Sequence, residues 1–167
     1  MRERRAALEH RRAQEFEAFV AGAAGRLLRT ATLLTAEPPG VPAPAAEELL
    51  TVALARTYAS WDRLRGEDPY DRTRQELAGH FARTAWRHRR ARGGLLDRLT
   101  PQERLVLVLR LYEGIAEEQT AALLGLPAER VHALCLRAVA EMRSTRPGTR
   151  RGTGPPSAAA GAGAVAP

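Results

Sequence analysis

Apolar side chains recur every three or four residues along most of this chain, and this periodicity restricts the chain to helices. Such spacing places the side chains on one face of an α-helix. The longest stripe precedes a proline-rich break and consists of Phe16, Phe19, Val20, Ala23, Leu27, Ala31 and Leu34. The apolar set leans on the strong helix formers Ala and Leu, and no alternating strand pattern competes. The sequence therefore predicts an all-α fold.

Proline and glycine divide the 167 residues into helical segments. We expect helices over about 11–35, 45–64, 70–92, 101–113, 116–124 and 127–143. The first three would form one small helical module, residues 11–92, and the last three a second module, residues 101–144. A short linker, residues 93–100, joins them. The tail, residues 145–167, is rich in Pro, Gly and Ala without periodicity, so we expect it to be disordered.

The second module has the layout of a helix-turn-helix. Thr100 is the expected N-cap of its first helix, Pro101 suits the first helical position, and Glu103 stands at the capping-box distance. Its last two helices are separated by a tight turn at Gly125. In DNA-binding proteins with this motif, the second helix of the pair enters the major groove. The alternative for this pattern is an ordinary antiparallel helix pair.

Several classes of protein are excluded. The chain has no run of about 18 apolar residues, so we expect no membrane insertion, and its arginine-rich N-terminus lacks the apolar segment of a secretory signal. A single cysteine, Cys135, rules out an internal disulfide framework, and the cytoplasm is the expected compartment. The four His are dispersed, without partners at ligand spacing. We therefore expect no metal or cofactor site and no enzymatic activity.

The positive charge is unevenly distributed. All 26 basic residues are Arg, and the formal net charge is +7. Residues 83–92 hold five Arg and no acid, whereas residues 101–144 hold five Arg and six Glu. A basic surface supplies most of the affinity of a protein for nucleic acid. The charge therefore favours nucleic-acid contact in the first module over contact in the helix-turn-helix.

The basic segment also has a suitable pattern of side chains. Arg83, Arg87 and Arg90 recur at helical spacing, with His80 on the same side. Arginine binds phosphates through two parallel hydrogen bonds, and Trp86 offers a ring on which a base can stack. We expect this stripe to contact nucleic acid. The alternative is a basic helix end whose arginines complement the helix dipole.

Three segments resemble conserved regions of bacterial RNA polymerase sigma factors of the extracytoplasmic-function class. The stretch LTPQERLVLVLRLYEGIAEEQTAALLGLPAERVHALCLRAVAEMR is similar to their fourth conserved region. Upstream, EELLTVALARTYASWDRLR resembles the helix of the second region that docks on the polymerase clamp. RQELAGHFARTAWRHRRAR resembles the helix that melts and reads the minus-ten promoter element. The resemblance covers about residues 14–143.

The resemblance implies a sigma factor that binds core RNA polymerase and directs DNA-templated transcription initiation at specific promoters. It implies polymerase contact through Glu48, Leu49, Leu50 and Ala53. It implies promoter contact through His80, Arg83, Trp86, Arg87 and Arg90 in the first module, and through Arg130, His132, Ala133 and Arg137 in the second. The implied partners are core RNA polymerase and promoter DNA, and the resemblance leaves open an anti-sigma factor as a third.

The linker and the last helix depart from the family pattern. The eight residue steps from Arg92 to Thr100 reach at most roughly 26–29 Å when extended, which is less than one helical turn of DNA, roughly 34 Å. The outward face of the last helix mixes acidic and apolar residues with Arg130 and Arg137, which could equally lie on a solvated face. A second hypothesis is therefore a diverged sigma-like regulator or interaction module that no longer reads a bipartite promoter.

Overall fold

The computed structural model describes residues 2–64 and 66–144, and every regular element within these ranges is helical. The α-helices are α1 Arg2–Thr35, α2 Pro44–Ala59, α3 Pro69–Arg83, α4 Pro101–Leu107, α5 Glu117–Leu124 and α6 Ala128–Ser144. Two short 3-10 helices, Trp61–Arg63 and Ala85–His88, and a π-helical segment, Val108–Tyr112, complete the order. The predicted all-α class is confirmed, and the tail predicted to be disordered, residues 145–167, lies outside the described residues.

The first helix is longer than its apolar stripe. It begins at Arg2, whereas the periodicity placed its start near Arg11. Residues 2–11 are exposed on all sides, and Arg5 forms an ion pair of 3.3 Å with Glu9 one turn later. This segment contains Arg, Ala, Leu and Glu without Pro or Gly, so helix propensity alone continues the helix beyond its packed part.

The third helix is shorter than the sequence indicated. It ends at Arg83, and the chain turns into the 3-10 helix Ala85–His88 instead of continuing to Arg92. The hydroxyl of Thr84 donates to the His80 carbonyl at 2.9 Å, within the last turn. His88 is drawn into the interior, where its ring stacks on Phe81 at 5.0 Å between centroids. This packing redirects the backbone, so the arginines beyond Arg83 do not continue one helical stripe.

The second module begins and turns as its sequence predicts. The N-cap hydroxyl of Thr100 accepts from the backbone N–H of Glu103, and the Glu103 carboxylate accepts from the backbone N–H of Thr100. Between α5 and α6, Gly125 has φ 64°, a left-handed conformation that glycine adopts without strain. Helices α5 and α6 therefore form the predicted helix-turn-helix.

The two modules share one apolar core. Leu27, Leu34 and Phe81 of the first module are fully buried in the same cluster as Leu105 and Leu109 of α4. A smaller cluster lies inside the helix-turn-helix and contains Val106, Ala121, Val131 and Leu134. The helix-turn-helix is therefore packed against α1 and α3 rather than suspended on an open linker.

Candidate nucleic-acid and polymerase interface

An exposed basic cluster surrounds the 3-10 helix that follows α3. Arg83, Arg87 and Arg90 are all exposed. The indole of Trp86 is 67% exposed, and among the described large apolar side chains only that of Leu95 is more exposed. The Arg87 guanidinium lies 5.8 Å from the centroid of the Trp86 ring. An open aromatic face flanked by guanidinium groups can stack an unpaired base and bind its phosphates.

Helix α2 reaches this basic cluster through Glu48. The Glu48 carboxylate lies 3.6 Å from the Arg87 guanidinium, and both side chains are more than half exposed. An exposed pair of this kind contributes little to stability, because water screens it. Glu48, Trp86, Arg87 and Arg90 line one open cleft of about 540 Å³. The predicted polymerase-binding carboxylate and the predicted DNA-binding arginines are thus neighbours.

His80 lies at the edge of the cluster and is half-buried. Burial lowers the pKa of its imidazole, and the charges of Arg56 and Arg83 lower it further. The ring is therefore neutral at pH 7, since its ordinary value is already near 6.5. His80 can offer a hydrogen bond to a nucleotide but not a full positive charge.

The other residues predicted to contact polymerase lie inside the protein. Leu49, Leu50 and Ala53 are 3%, 7% and 0% exposed and belong to the shared core. Their side chains hold α2 against its neighbours. The solvent-facing positions near them are Glu47, Glu48, Thr51 and Ala55. The surface that α2 presents to a partner therefore consists of these exposed residues, and not of the apolar residues that the family motif suggested.

The outward face of α6 carries all four residues predicted to contact DNA there. Arg130, His132, Ala133 and Arg137 are exposed. Two of them have acidic partners within their own module: His132 Nδ1 lies 3.1 Å from Glu117, and the Arg137 guanidinium lies 3.4 Å from Glu103. These contacts offset part of the small positive charge of this face.

Arg130 and Arg137 also face the first module. With Arg89 and Arg98 they line an open cleft of about 600 Å³ between α6 and the segment that follows α3. Asp97 and Glu103 lie in the same cleft. The sequence did not predict that Arg89 and Arg98 lie near α6, because the two modules were expected to be separate. The charge of these two arginines is the only sequence feature that points to this surface.

Two further residues were missed by sequence reasoning. Arg104 is fully buried and Glu113 is 8% exposed, although both are charged. Helical spacing from Pro101 and Leu105 places Arg104 beside the apolar face of α4. A charged residue at such a position is the one feature of the sequence that points to its burial. Both side chains join the two modules: Arg104 donates to the carbonyls of Leu34 and His88, and Glu113 accepts from the hydroxyls of Thr30 and Tyr70.

The described residues carry neither a metal-binding cluster nor a membrane-spanning helix. Among residues 2–64 and 66–144, no group of three or more His, Cys, Asp or Glu side chains is placed to hold a metal ion. Within the same ranges, none of the helices combines the length and the apolar character needed to cross a bilayer. Burial raises the pKa of the Cys135 thiol, so this cysteine is less nucleophilic than a free one.

Comparison with known proteins identifies the relatives of this arrangement. Residues 95–144 match the family model for region 4 of sigma-70. The chain is 30% identical over 154 residues to the RNA polymerase sigma-E factor of Streptomyces coelicolor, with 77% of this chain and 84% of that protein covered. It is 30% identical over 161 residues to the protein of the same name from Streptomyces avermitilis, covering 81% and 87%. With that of Streptomyces antibioticus it shares 33% over 156 residues, covering 77% and 83%. No solved structure matches the chain significantly.

Proposed function

The chain belongs to the RNA polymerase sigma factor family, in its extracytoplasmic-function class, and on that premise we propose which of its surfaces carry promoter recognition. As a sigma factor, it directs transcription initiation by core RNA polymerase at promoter DNA. What remains to be assigned is the contribution of each module. The exposed Trp86, with Arg87 against its ring and Arg90 in the same cleft, is the observation that carries the assignment.

The first module is proposed to hold the unpaired strand of the minus-ten element. Stacking of one base on an aromatic ring is worth about 1–3 kcal/mol and is available to every base. Arg87 lies against Trp86 and Arg90 lines the same cleft, while Arg83 is exposed in the last turn of α3, before them. Each of these arginines can contact a phosphate, and neutral His80 can give or accept one hydrogen bond. Promoter opening is favoured because the separated strand is bound, and no covalent step is required. We accordingly assign no enzymatic activity to the protein.

Core polymerase is proposed to contact the exposed side of α2. Glu48 is the one predicted polymerase-binding residue whose side chain reaches solvent. Leu49, Leu50 and Ala53 act indirectly, since they position α2 from the core. We place this activity in the cytoplasm, where polymerase and promoter DNA meet, and an anti-sigma factor that covers the same exposed surfaces would act as an inhibitor.

A second candidate function rests on the helix-turn-helix. The acidic partners of His132 and Arg137, together with the shared core, favour a sigma-like regulator that binds polymerase without reading a minus-thirty-five element. In this case Arg130, His132, Ala133 and Arg137 would make few or weak contacts to duplex DNA.

Run-off transcription with purified core polymerase tests the assignment, on promoters recovered by chromatin pull-down. We expect Trp86→Ala and Arg87→Ala to lower promoter opening at least tenfold while both variants still co-elute with polymerase. Arg4→Ala, which alters an exposed arginine near the start of α1, is the control and should behave as wild type. Normal opening by both variants would contradict the assignment. Transcription that requires a minus-thirty-five element would exclude the second candidate function.

A further inference from the structure

Four arginines from three parts of the chain line the cleft between α6 and the segment that follows α3. Arg89 follows the 3-10 helix Ala85–His88, Arg98 belongs to the linker, and Arg130 and Arg137 lie on α6. We call this recess of about 600 Å³ the inter-module cleft. Its volume falls within the range of clefts that bind small molecules, roughly 300–1,000 Å³. Charged groups of both modules and of the linker therefore converge on a space of ligand size.

Three of these four arginines have no acidic partner. Among the residues that the structure describes, the guanidinium groups of Arg89, Arg98 and Arg130 form neither a hydrogen bond nor an ion pair. Arg137 is paired, with Glu103 at 3.4 Å. Guanidinium groups that share one recess repel one another, because their charges have the same sign. An anion bound between them would remove this repulsion.

The two carboxylates of the cleft are engaged with other groups. Glu103 accepts hydrogen bonds from the backbone N–H of Thr100 at 3.0 Å and from its hydroxyl at 2.8 Å, and it also pairs with Arg137. The Asp97 carboxylate acts on the buried guanidinium of Arg104, whose pKa it raises against the effect of burial. Four guanidinium groups and two carboxylates leave the cleft with a net charge of +2.

The lining of the cleft favours a compact anion over a strand of nucleic acid. None of the described residues that line it is aromatic, so it offers no ring on which a base could stack. A helix that reads duplex DNA projects into the major groove, whereas Arg130 and Arg137 border a recess shared with the first module. The exposed surface around Trp86 has the features that a strand requires, and the inter-module cleft lacks them.

Phosphate is the anion that the arginines suit best. A guanidinium binds phosphate oxygens through two parallel hydrogen bonds, which a spherical anion cannot accept in the same way. Arg130 and Arg137 are seven residues apart on α6, a rise of about 10 Å, and Arg89 and Arg98 line the same recess. A chain of linked phosphates matches this spread of charge better than a single phosphate group does.

We propose that the inter-module cleft binds a short polyphosphate chain, either free or as the phosphate tail of a nucleotide. This binding is separate from promoter recognition and requires neither polymerase nor DNA. Arg89 and Arg98 are the residues that distinguish the site, because Arg130 and Arg137 also carry predicted promoter contacts. Leu99 and Leu134, which are 2% and 1% exposed, form part of its apolar wall.

Isothermal titration calorimetry of the free, full-length chain tests the proposal in magnesium-free buffer of constant ionic strength. The probes are inorganic tripolyphosphate, ATP and adenosine. We expect the double variant Arg89→Gln, Arg98→Gln to bind tripolyphosphate at least tenfold more weakly than the unaltered chain. The double variant Arg4→Gln, Arg143→Gln removes the same charge from exposed positions outside the cleft and should change the affinity less than twofold. Circular dichroism should be unchanged in both, since all four side chains are exposed.

The three probes separate the two sources of phosphate. Similar affinities for tripolyphosphate and ATP would assign recognition to the phosphates alone, and tighter binding of ATP would make a nucleotide the ligand; both results support the proposal. Adenosine bound as tightly as ATP would overturn it, as would no binding of either phosphate probe at millimolar concentration. Equal losses of affinity in the two double variants would also overturn it, because the attraction would then depend on net charge.

The position of the bound anion is tested by amide NMR of the isotope-labelled chain. We expect tripolyphosphate to shift the signals of residues 97–103 and 130–137 more than those around Trp86. Shifts confined to the surroundings of Trp86 would place the anion in the promoter-binding cluster and contradict the proposal. If the Arg89→Gln, Arg98→Gln variant loses affinity for a short DNA duplex but not for tripolyphosphate, the cleft is a nucleic-acid site and the proposal is wrong. Neither measurement uses polymerase, so failure of the promoter assignment would leave these results unchanged.

Discussion

Arg104 shows how one residue can depend on contacts far along the chain. Its guanidinium is buried without a carboxylate among its hydrogen-bond partners, and its donors are shared among three backbone carbonyls. Burial lowers the pKa of this group, with Asp97 acting in the opposite direction. The carbonyl oxygens supply the compensation that a buried charge requires. The side chain is therefore a structural member of the core and not a free cation for DNA.

Replacing Arg104 with Ala should destabilise the protein strongly. The change leaves the carbonyls of Leu34 and His88 buried without this donor and opens a cavity, so we expect a loss of about 3 kcal/mol or more in the free energy of unfolding. Urea unfolding followed by circular dichroism measures it. Arg143→Ala, an exposed change near the end of α6, should cost less than about 0.5 kcal/mol. A similar small loss for both variants would mean that water replaces the guanidinium at no cost.

His88 gives the protein a stability that depends on pH. Burial lowers the pKa of its imidazole to about 4, and the charges of Arg92, Arg104 and Arg87 contribute in the same direction. The unfolded chain takes up this proton near pH 6.5, above the folded value. The stabilisation is therefore complete above about pH 6.5 and is lost as the pH falls towards 4, by up to about 2–3 kcal/mol in total.

Unfolding free energies measured between pH 7 and pH 4.5 test this expectation. His88→Phe keeps the stacking on Phe81 and removes the titrating group, so most of the slope should disappear in this variant. His80, whose pKa is also lowered, accounts for a residual slope. His10→Gln, at an exposed position of α1, should retain the full dependence. An unchanged slope in His88→Phe would show that other groups cause it.

Among the elements, those whose ends are set by local chemistry were predictable from the sequence. The N-terminus of α4 follows from Thr100, Pro101 and Glu103, and the turn before α6 follows from Gly125. The end of α3 was not predictable, because it depends on His88 packing against Phe81 and on Arg104 binding the His88 carbonyl. Those contacts join residues that lie seven or more positions apart, and helical spacing carries no information about them.

The capping box of α4 gives a direct measure of this local chemistry. Thr100→Ala removes the hydroxyl that accepts from the Glu103 backbone N–H at 3.3 Å. We expect a loss of about 1 kcal/mol in the free energy of unfolding, the usual contribution of an N-cap. Thr51→Ala, an exposed change inside α2, is the control and should be close to neutral. Equal losses in both variants would argue against a specific cap.

At the scale of the whole molecule, the separation of charge was visible in the sequence but the packing of the modules was not. The basic residues 83–92 and the nearly neutral second module were read directly from composition. The apolar character of Leu49, Leu50 and Ala53 was enough to infer that they are buried. The resemblance to the family motif led instead to the prediction that they contact polymerase. The cleft that joins Arg89 and Arg98 to α6 depends on the contacts that Arg104 and Glu113 make with the first module. Only a three-dimensional structure brings these residues together.

The distribution of charge leads to a prediction about salt. Each phosphate neutralised on a single strand contributes about 0.7 to the slope of log affinity against log salt. Replacing Arg83, Arg87 and Arg90 together with Gln should therefore reduce this slope by about 2 for a single-stranded minus-ten oligonucleotide, measured by fluorescence anisotropy. Replacing Arg130, Arg137 and Arg143 with Gln changes the net charge equally and should leave the slope nearly unaltered. Equal reductions of the slope in both triple variants would mean that affinity for the strand depends on the total charge of the protein. The contact would then not be localised at Trp86.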